Sequence, residues 1–136
     1  MKTSFYFLFL IVILSSSCQQ EEDKNCEEPV ACTEIFVTIN LEVTNQAGEA
    51  VELDNAYTFI DSRSKIEFEI TDQMRSSGIY PVANDLNITE FDFEGTIVIF
   101  VGEKDGKNVV EHQMTIGKDC CHIQLVEGEA EIQIEN

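Results

Sequence analysis

The chain has 136 residues and is strongly acidic, with 26 Asp and Glu against 8 Lys and Arg and a formal net charge of −18. Such a charge favours solubility and self-repulsion, and it argues against nucleic acid or anionic lipid headgroups as partners. The length after the N-terminal segment allows one hydrophobic core and is too short for two domains of ordinary size.

The N-terminus has the three-part layout of a secretory signal. Lys2 is the only charge in residues 1–17, residues 5–14 are an unbroken apolar run, and three serines lead into Cys18. That run is too short to span a bilayer as a helix, which needs about 20 residues. We therefore predict that residues 1–17 are a signal peptide that is removed during export.

The serines before Cys18 resemble a lipobox, the motif read by the bacterial lipoprotein signal peptidase. The resemblance implies that the thiol of Cys18 is acylated, so that a covalent lipid anchors the mature chain in the membrane. The leucine that usually stands three residues before the cysteine is replaced by Ser15, and Leu14 lies one position further away. Cleavage after Ser17 by an ordinary signal peptidase, which would leave Cys18 as a free thiol, is the alternative.

Residues 18–31 form the predicted tether. They are polar and acidic and lack a hydrophobic period, a composition that does not support a packed core. The segment Gln19-Gln20-Glu21-Glu22-Asp23 resembles the acidic export signal of surface lipoproteins in Bacteroidetes-type envelopes. This resemblance implies a protein of the bacterial outer membrane that faces the cell exterior. A plain polar tether is the alternative.

From Thr33 onward, apolar residues recur with the period of two that is typical of half-buried strands. The residues 105–107 (Asp-Gly-Lys) are a hairpin signal, and residues 96–101 are a continuous apolar run that predicts a central strand. No helix is predicted, and residues 72–94 read as irregular apart from a short extended piece at 79–82. The other predicted strands cover residues 35–44, 56–61, 65–71, 108–116, 121–126 and 130–135.

Seven or eight short strands at this spacing predict an all-β fold, a single β-sandwich or barrel spanning residues 32–136. Alternation along the strands nominates the core. The candidates are Val37, Ile39, Leu41, Phe68, Ile97, Ile99, Ile123, Leu125, Ile132 and Ile134.

The segment Leu41 to Val51 (LEVTNQAGEAV) looks like the opening of carboxypeptidase regulatory-like, transthyretin-like domains, in which the first strand ends in a D-x-x-G-x-P-V-type turn. Here Asn45 replaces the usual acid and Ala50 the usual proline. Residues 101–125 resemble small envelope lipoproteins with the same fold. Together the resemblance implies a seven- to eight-stranded Greek-key sandwich of the transthyretin (prealbumin) type, without catalysis of its own and accessory to export or surface binding.

The sequence holds five cysteines, and an odd number in an exported protein leaves one thiol to explain. If Cys18 carries lipid, the remaining four form an even set in a compartment where disulfides persist. Adjacent cysteines seldom bond each other, so we predict that Cys120 and Cys121 each pair with Cys26 or Cys32. Adjacent residues of a strand point to opposite faces, which favours Cys32–Cys120 and Cys26–Cys121.

A metal site is the competing interpretation of this cluster. Cys120, Cys121 and His122 could bind zinc or copper(I), or the cysteine pair could be redox-active. The spacings C-x5-C and C-C lack the usual zinc knuckle, so we predict no metal and no cofactor beyond the lipid. His112 shares a strand face with apolar residues and is interpreted as a packed side chain.

The acidic loop at residues 85–94 could hold calcium through Asp85, Asn87, Glu90, Asp92 and Glu94, although a solvated loop is the simpler interpretation. There is no G-x-S-x-G elbow and no glycine-rich phosphate loop, so we do not predict an enzyme. Ser62, Ser76 and Ser77 lie near acids but have no histidine assigned to them.

These observations predict a non-enzymatic surface lipoprotein that serves as a binding or accessory module of the cell envelope. Its expected partners are the membrane, through the lipid, and an envelope protein or extracellular ligand. A periplasmic metal-binding or thiol-redox protein that uses Cys120, Cys121 and His122 is the first alternative, and a small hydrolase is the second.

Overall fold

A computed structural model describes Cys26 and residues 31–61 and 64–135. The predicted signal peptide, the lipidation candidate Cys18 and Ser62 lie outside the described residues. The described part of the chain forms eight strands, one short α-helix and one 3-10 helix. These are β1 (Thr38–Asn45), β2 (Asn55–Ile60), β3 (Ser64–Glu67), α1 (Asp72–Ser77), β4 (Ile79–Asn84), the 3-10 helix (Asp85–Glu90), β5 (Thr96–Lys104), β6 (Lys107–Lys118), β7 (Ile123–Glu127) and β8 (Glu131–Ile134).

The strands form two sheets, one of three strands in the order β4-β1-β8 and one of five in the order β3-β2-β5-β6-β7. Neighbouring strands are antiparallel except for β1 and β8, which run parallel. A single hydrophobic cluster draws its buried side chains from both sheets. The predicted all-β, two-sheet sandwich is confirmed at this level, and β5 is central in the larger sheet as expected.

The core residues follow the alternation of each strand. Ile39, Leu41 and Ile123 are buried as predicted, and Val37, Phe68, Ile132 and Ile134 are half-buried against the core. Three core predictions were wrong: Ile97 is 50 % exposed, Leu125 is 36 % exposed, and the half-buried Ile99 lies on the same face of β5 as Ile97, away from the core cluster. Residues 97–101 are apolar at successive positions, so the sequence did not show which face of β5 turns inward. The structure buries Val98 and Phe100 instead.

Helix α1 corrects the prediction that residues 72–94 are irregular. The Thr71 side chain caps its N-terminus by accepting the Met74 N–H at 3.3 Å, and Gly78 ends it with a φ of 70°. No residue of α1 is buried. The helix therefore lacks the apolar period by which a helix is recognised in a sequence.

The hairpin between β5 and β6 confirms its prediction. Asp105 and Gly106 have φ values of 52° and 71°, the left-handed pair that a two-residue turn requires. The turn places β6 beside β5 along its whole length. No helix in the described ranges is long and apolar enough to cross a membrane.

Candidate functional site

Two disulfides join the segment before β1 to the turn between β6 and β7. Cys26 bonds Cys120 and Cys32 bonds Cys121, with Cα atoms 5.4 Å apart in each pair. The prediction that each adjacent cysteine bonds separately to Cys26 or Cys32 is confirmed. The favoured pairing was wrong, because Cys32–Cys120 and Cys26–Cys121 do not form.

The pairing prediction failed because Cys120 and Cys121 are not on a strand. β6 ends at Lys118 and β7 begins at Ile123, so the cysteines lie in a tight turn. The Asp119 carboxylate accepts the backbone N–H groups of Cys121 at 2.7 Å and of His122 at 2.8 Å. These two hydrogen bonds hold the pKa of Asp119 below its ordinary value.

The Asp85 carboxylate connects three segments of the chain at this end of the sandwich. Its Oδ2 accepts the Val37 N–H at 2.8 Å and lies 2.8 Å from Nδ1 of His122. Its Oδ1 accepts the Ile123 N–H at 3.0 Å. Burial by itself would raise the pKa of Asp85, but these hydrogen bonds outweigh it and the pKa lies below its ordinary value.

His122 continues the network to the N-terminal segment. Its Nε2 lies 3.0 Å from the Thr33 hydroxyl, so Thr33, His122 and Asp85 form one connected row. The His122 side chain is 20 % exposed and that of Asp85 is 13 % exposed. We call these three residues, with the two disulfides, the knot.

Sequence reasoning missed the row, although a signal for it exists. Thr33 directly follows Cys32, and His122 directly follows Cys121, so the disulfide between those cysteines brings the two side chains together. The correct pairing would have predicted that contact. Asp85 is a third, distant element that only the tertiary fold supplies.

The row has the connectivity of a hydroxyl, a base and an orienting carboxylate, the arrangement that activates a nucleophile in acyl transfer. Asp85 also accepts two backbone N–H groups, so the same contacts fasten the N-terminal segment to the sandwich. A cavity of about 530 Å³ lies away from the row, along β6 and β8.

In this structure, the residues of the alternative metal site are engaged in other interactions. The sulfur atoms of Cys120 and Cys121 are in disulfides, and both ring nitrogens of His122 face protein groups. Across the described ranges, no three His, Cys, Asp or Glu side chains are grouped as a metal site.

Asp85, Asn87 and Glu90 of the acidic loop have separate partners in the structure. Asn87 and Asn84 cap the 3-10 helix reciprocally, and the Ser64 hydroxyl donates to Glu90 at 3.3 Å. The Asp92 N–H donates to the Thr96 hydroxyl. Asp85 turns inward to the knot, where both of its carboxylate oxygens accept hydrogen bonds, so it does not act as the calcium ligand that the loop interpretation assigned to it.

His112 lies half-buried on the inner side of β6, beside the buried Val110 and Met114. Its Nε2 is 2.9 Å from the Glu129 carbonyl oxygen in the turn between β7 and β8. This is the packed role that the sequence predicted.

No protein-family model, curated protein or solved structure matches the chain.

Proposed function

We propose that this chain is a bacterial envelope lipoprotein, anchored by a lipid on Cys18, whose sandwich is a non-enzymatic binding or accessory module. The observation that carries the proposal is the pairing of cysteines. Two disulfides use four of the five cysteines in the sequence, and the fifth is Cys18. Disulfides persist in the oxidising compartments that lie beyond the inner membrane, which agrees with export.

The position of the knot bears on which end of the domain such an anchor would hold near the membrane. Cys26 lies eight positions after Cys18 in the sequence, and eight residues reach at most about 29 Å. The knot end of the sandwich therefore faces the membrane, and the opposite end projects from it.

The finer fold assignment is also a proposal. The chain leaves the small sheet after β1, returns beside β1 with β4, and returns again with β8, which supports a Greek-key sandwich of the transthyretin type. The turn after β1 supports it as well. The Asn45 side-chain oxygen accepts the N–H groups of Ala47 and Glu49, each at 2.9 Å, and so takes the place of the family's usual acid.

Labelling cells with a radioactive fatty acid tests the anchor. We expect the wild-type protein to carry the label and to sediment with membranes, and Cys18→Ala to lose both. Ser17→Ala, with a small residue retained before the cysteine, is the matched control and keeps both. Membrane association of Cys18→Ala would contradict the proposal.

Surface exposure is tested separately. We propose that Glu21, Glu22 and Asp23 direct the protein to the outer face of the outer membrane. Protease added to intact cells should degrade the wild-type protein and spare a variant with all three changed to Ala. Equal protection of both proteins would place the wild type on the inner leaflet.

A second candidate, acyl-ester hydrolysis, is favoured by the row of Thr33, His122 and Asp85. The Thr33 hydroxyl would attack an ester carbonyl as its proton passes to His122, and the alcohol would leave with that proton. Water would then hydrolyse the acyl-threonine, which releases the acid and restores the hydroxyl. Nitrophenyl acetate hydrolysis by the wild type that falls to background in Thr33→Val would support it. Equal rates for both proteins would remove it.

A further inference from the structure

The outer face of the five-stranded sheet carries an apolar stripe. It consists of Tyr57 and Phe59 on β2 and Ile97, Ile99 and Val101 on β5, and we call these five residues the outer stripe. Tyr57 is opposite Val101 in the register, and Phe59 is opposite Ile99, so these pairs share one face. Phe59 is 37 % exposed and Ile97 is 50 % exposed.

Burial shows that this face points away from the core. The alternate residues of the same strands, including Thr58, Val98 and Phe100, are fully buried toward the small sheet. Val101 is only 4 % exposed, yet it is not part of the core cluster. The solvated face of an antiparallel sheet is ordinarily polar, and an exposed apolar stripe at its centre is typical of an interaction site.

Carboxylates frame the outer stripe on both sides. The register aligns Glu67, Tyr57, Val101 and Glu111 in one row across four strands. The two glutamates of that row are separated by three strand spacings, about 14 Å. A second row runs from Ile97 through Thr115 to Glu127.

Within the described part of the sheet, one cation lies beside the outer stripe, on the edge strand β3. Lys65 is opposite Phe59, and its Nζ is paired with Glu67 and lies 3.8 Å from the centre of the Tyr57 ring. It is thus held at the edge, while the glutamates Glu111 and Glu127 are exposed. An apolar centre with a charged rim is the anatomy of a protein interface.

We propose that the outer stripe is a docking surface for a cationic amphipathic helix of a partner protein. This rests on the proposed function as a binding module and names its class of partner. A helix is about 10–12 Å across with its side chains, which matches the space between the framing carboxylates. Its apolar side contacts the stripe, and its flanking Lys or Arg side chains pair with the exposed Glu111 and Glu127.

Charge decides between this partner and the other occupants of an apolar face. A second copy of a chain with net charge −18 would bring its own carboxylates against the same frame. An anionic membrane surface would be repelled in the same way. A cationic helix gains from both the apolar centre and the acidic rim.

The test uses the protein as cells make it, held in neutral-lipid nanodiscs, with a synthetic 18-residue Leu/Lys amphipathic helix as the probe. Binding is measured by fluorescence anisotropy of the labelled probe, with empty nanodiscs as the blank. We expect saturable binding that weakens with salt, and no binding of a Leu/Glu helix of the same pattern. Ile97→Ser should weaken binding about fivefold, because it removes apolar contact without changing the charge.

Leu86→Ser is the matched control, because Leu86 is 81 % exposed on the 3-10 helix, outside the stripe. It should leave the affinity of the probe unchanged. Glu111→Lys should weaken binding at the rim, and it keeps the assay decisive if Ile97→Ser folds poorly. Equal affinities for Ile97→Ser and Leu86→Ser, binding of the Leu/Glu helix, or probe-independent dimers in sedimentation would each overturn the proposal.

Failure here would leave the anchor intact, since fatty-acid labelling of Cys18 is measured independently. If labelling fails instead, the unanchored chain can be tested with the same probe in buffer alone.

Discussion

Asp85 begins the 3-10 helix and holds partners from two other segments of the chain, so its contribution to stability is large for a single side chain. It accepts backbone N–H groups from Val37 and Ile123 and contacts His122. Hydrogen bonds to a charged acceptor are stronger than neutral ones, and losing the acceptor leaves donors unpaired. Sequence alone ranked Asp85 as a calcium candidate because its partners are 37 and more residues away.

Replacing Asp85 by Asn puts an NH₂ group where one donor now finds an oxygen. We expect Asp85→Asn to lower the free energy of unfolding by about 2–3 kcal/mol, measured by chemical denaturation at pH 7. Asp92→Asn removes the same charge from an exposed position and should change it by less than about 0.5 kcal/mol. Equal effects of the two changes would contradict the role assigned to Asp85.

The lowered pKa values of Asp85 and Asp119 make the knot sensitive to acid. A carboxyl whose pKa is lower in the folded state contributes stability above its ordinary value, 3.8 for Asp, and loses it as the pH falls through the lowered pKa. Denaturation between pH 7 and pH 2 should therefore show the Asp85 contribution intact at pH 5–7 and declining below about pH 4. The decline should be smaller in Asp85→Asn, and an identical decline would contradict the assignment.

Thr58 is a second residue at which the structure makes a sharp prediction. Its side chain is fully buried on β2, and among the described residues its hydroxyl alone is buried without a hydrogen-bond partner. Thr58→Val keeps the shape and removes the unpaired group, so we expect a gain of about 1 kcal/mol in the free energy of unfolding. A loss of stability in thermal or chemical denaturation would show that the hydroxyl has a partner.

At the scale of elements, the alternating strands could be predicted from the sequence. The face of β5 that turns to the core and the presence of helix α1 could not. β1 alternates cleanly, so its buried residues Ile39 and Leu41 were predicted correctly. β5 is apolar on both faces because the outer stripe occupies the solvent side, and the two faces could not be told apart. Helix α1 depends on its caps, with no buried residue to reveal it.

Gly48 and Gly78 both have left-handed backbones, so a comparison of their alanine variants distinguishes the cost of backbone strain from the cost of steric overlap. A Cβ at Gly78 would lie 2.7 Å from the Val43 carbonyl oxygen, whereas one at Gly48 would meet nothing within 4 Å. Gly48→Ala should cost about 1 kcal/mol, the cost of a left-handed residue with a side chain. Gly78→Ala should cost about 2–4 kcal/mol, because α1 must also separate from β1. Equal losses in thermal denaturation would contradict the close approach.

At the scale of the whole molecule, the knot closes the chain from its N-terminal segment to the turn before β7. The sequence predicted which cysteines meet, because export, parity and adjacency left few choices. It could not predict the pairing, since the positions of Cys120 and Cys121 depend on the Asp119 turn. The contact of Thr33 with His122 was missed for the same reason.

Paired substitutions test the connectivity, because adjacent cysteines are hard to separate by proteolysis. Cys26→Ser with Cys120→Ser leaves the native Cys32–Cys121 bond, so this variant should have no free thiol in the domain. Cys26→Ser with Cys121→Ser leaves two cysteines that are not native partners. It should unfold at a lower temperature, because it loses a bond across a loop of this length, which contributes about 4–5 kcal/mol. Equal melting temperatures would contradict the observed pairing.

The measurement that tests the central claim most directly is the intact mass of the protein isolated from its own membranes, with and without reduction. We predict a chain that begins at Cys18, carries the added mass of acyl groups, and gains four hydrogen atoms on reduction of its two disulfides. A chain without acyl mass would contradict the lipid anchor, and a mass unchanged by reduction would contradict the knot.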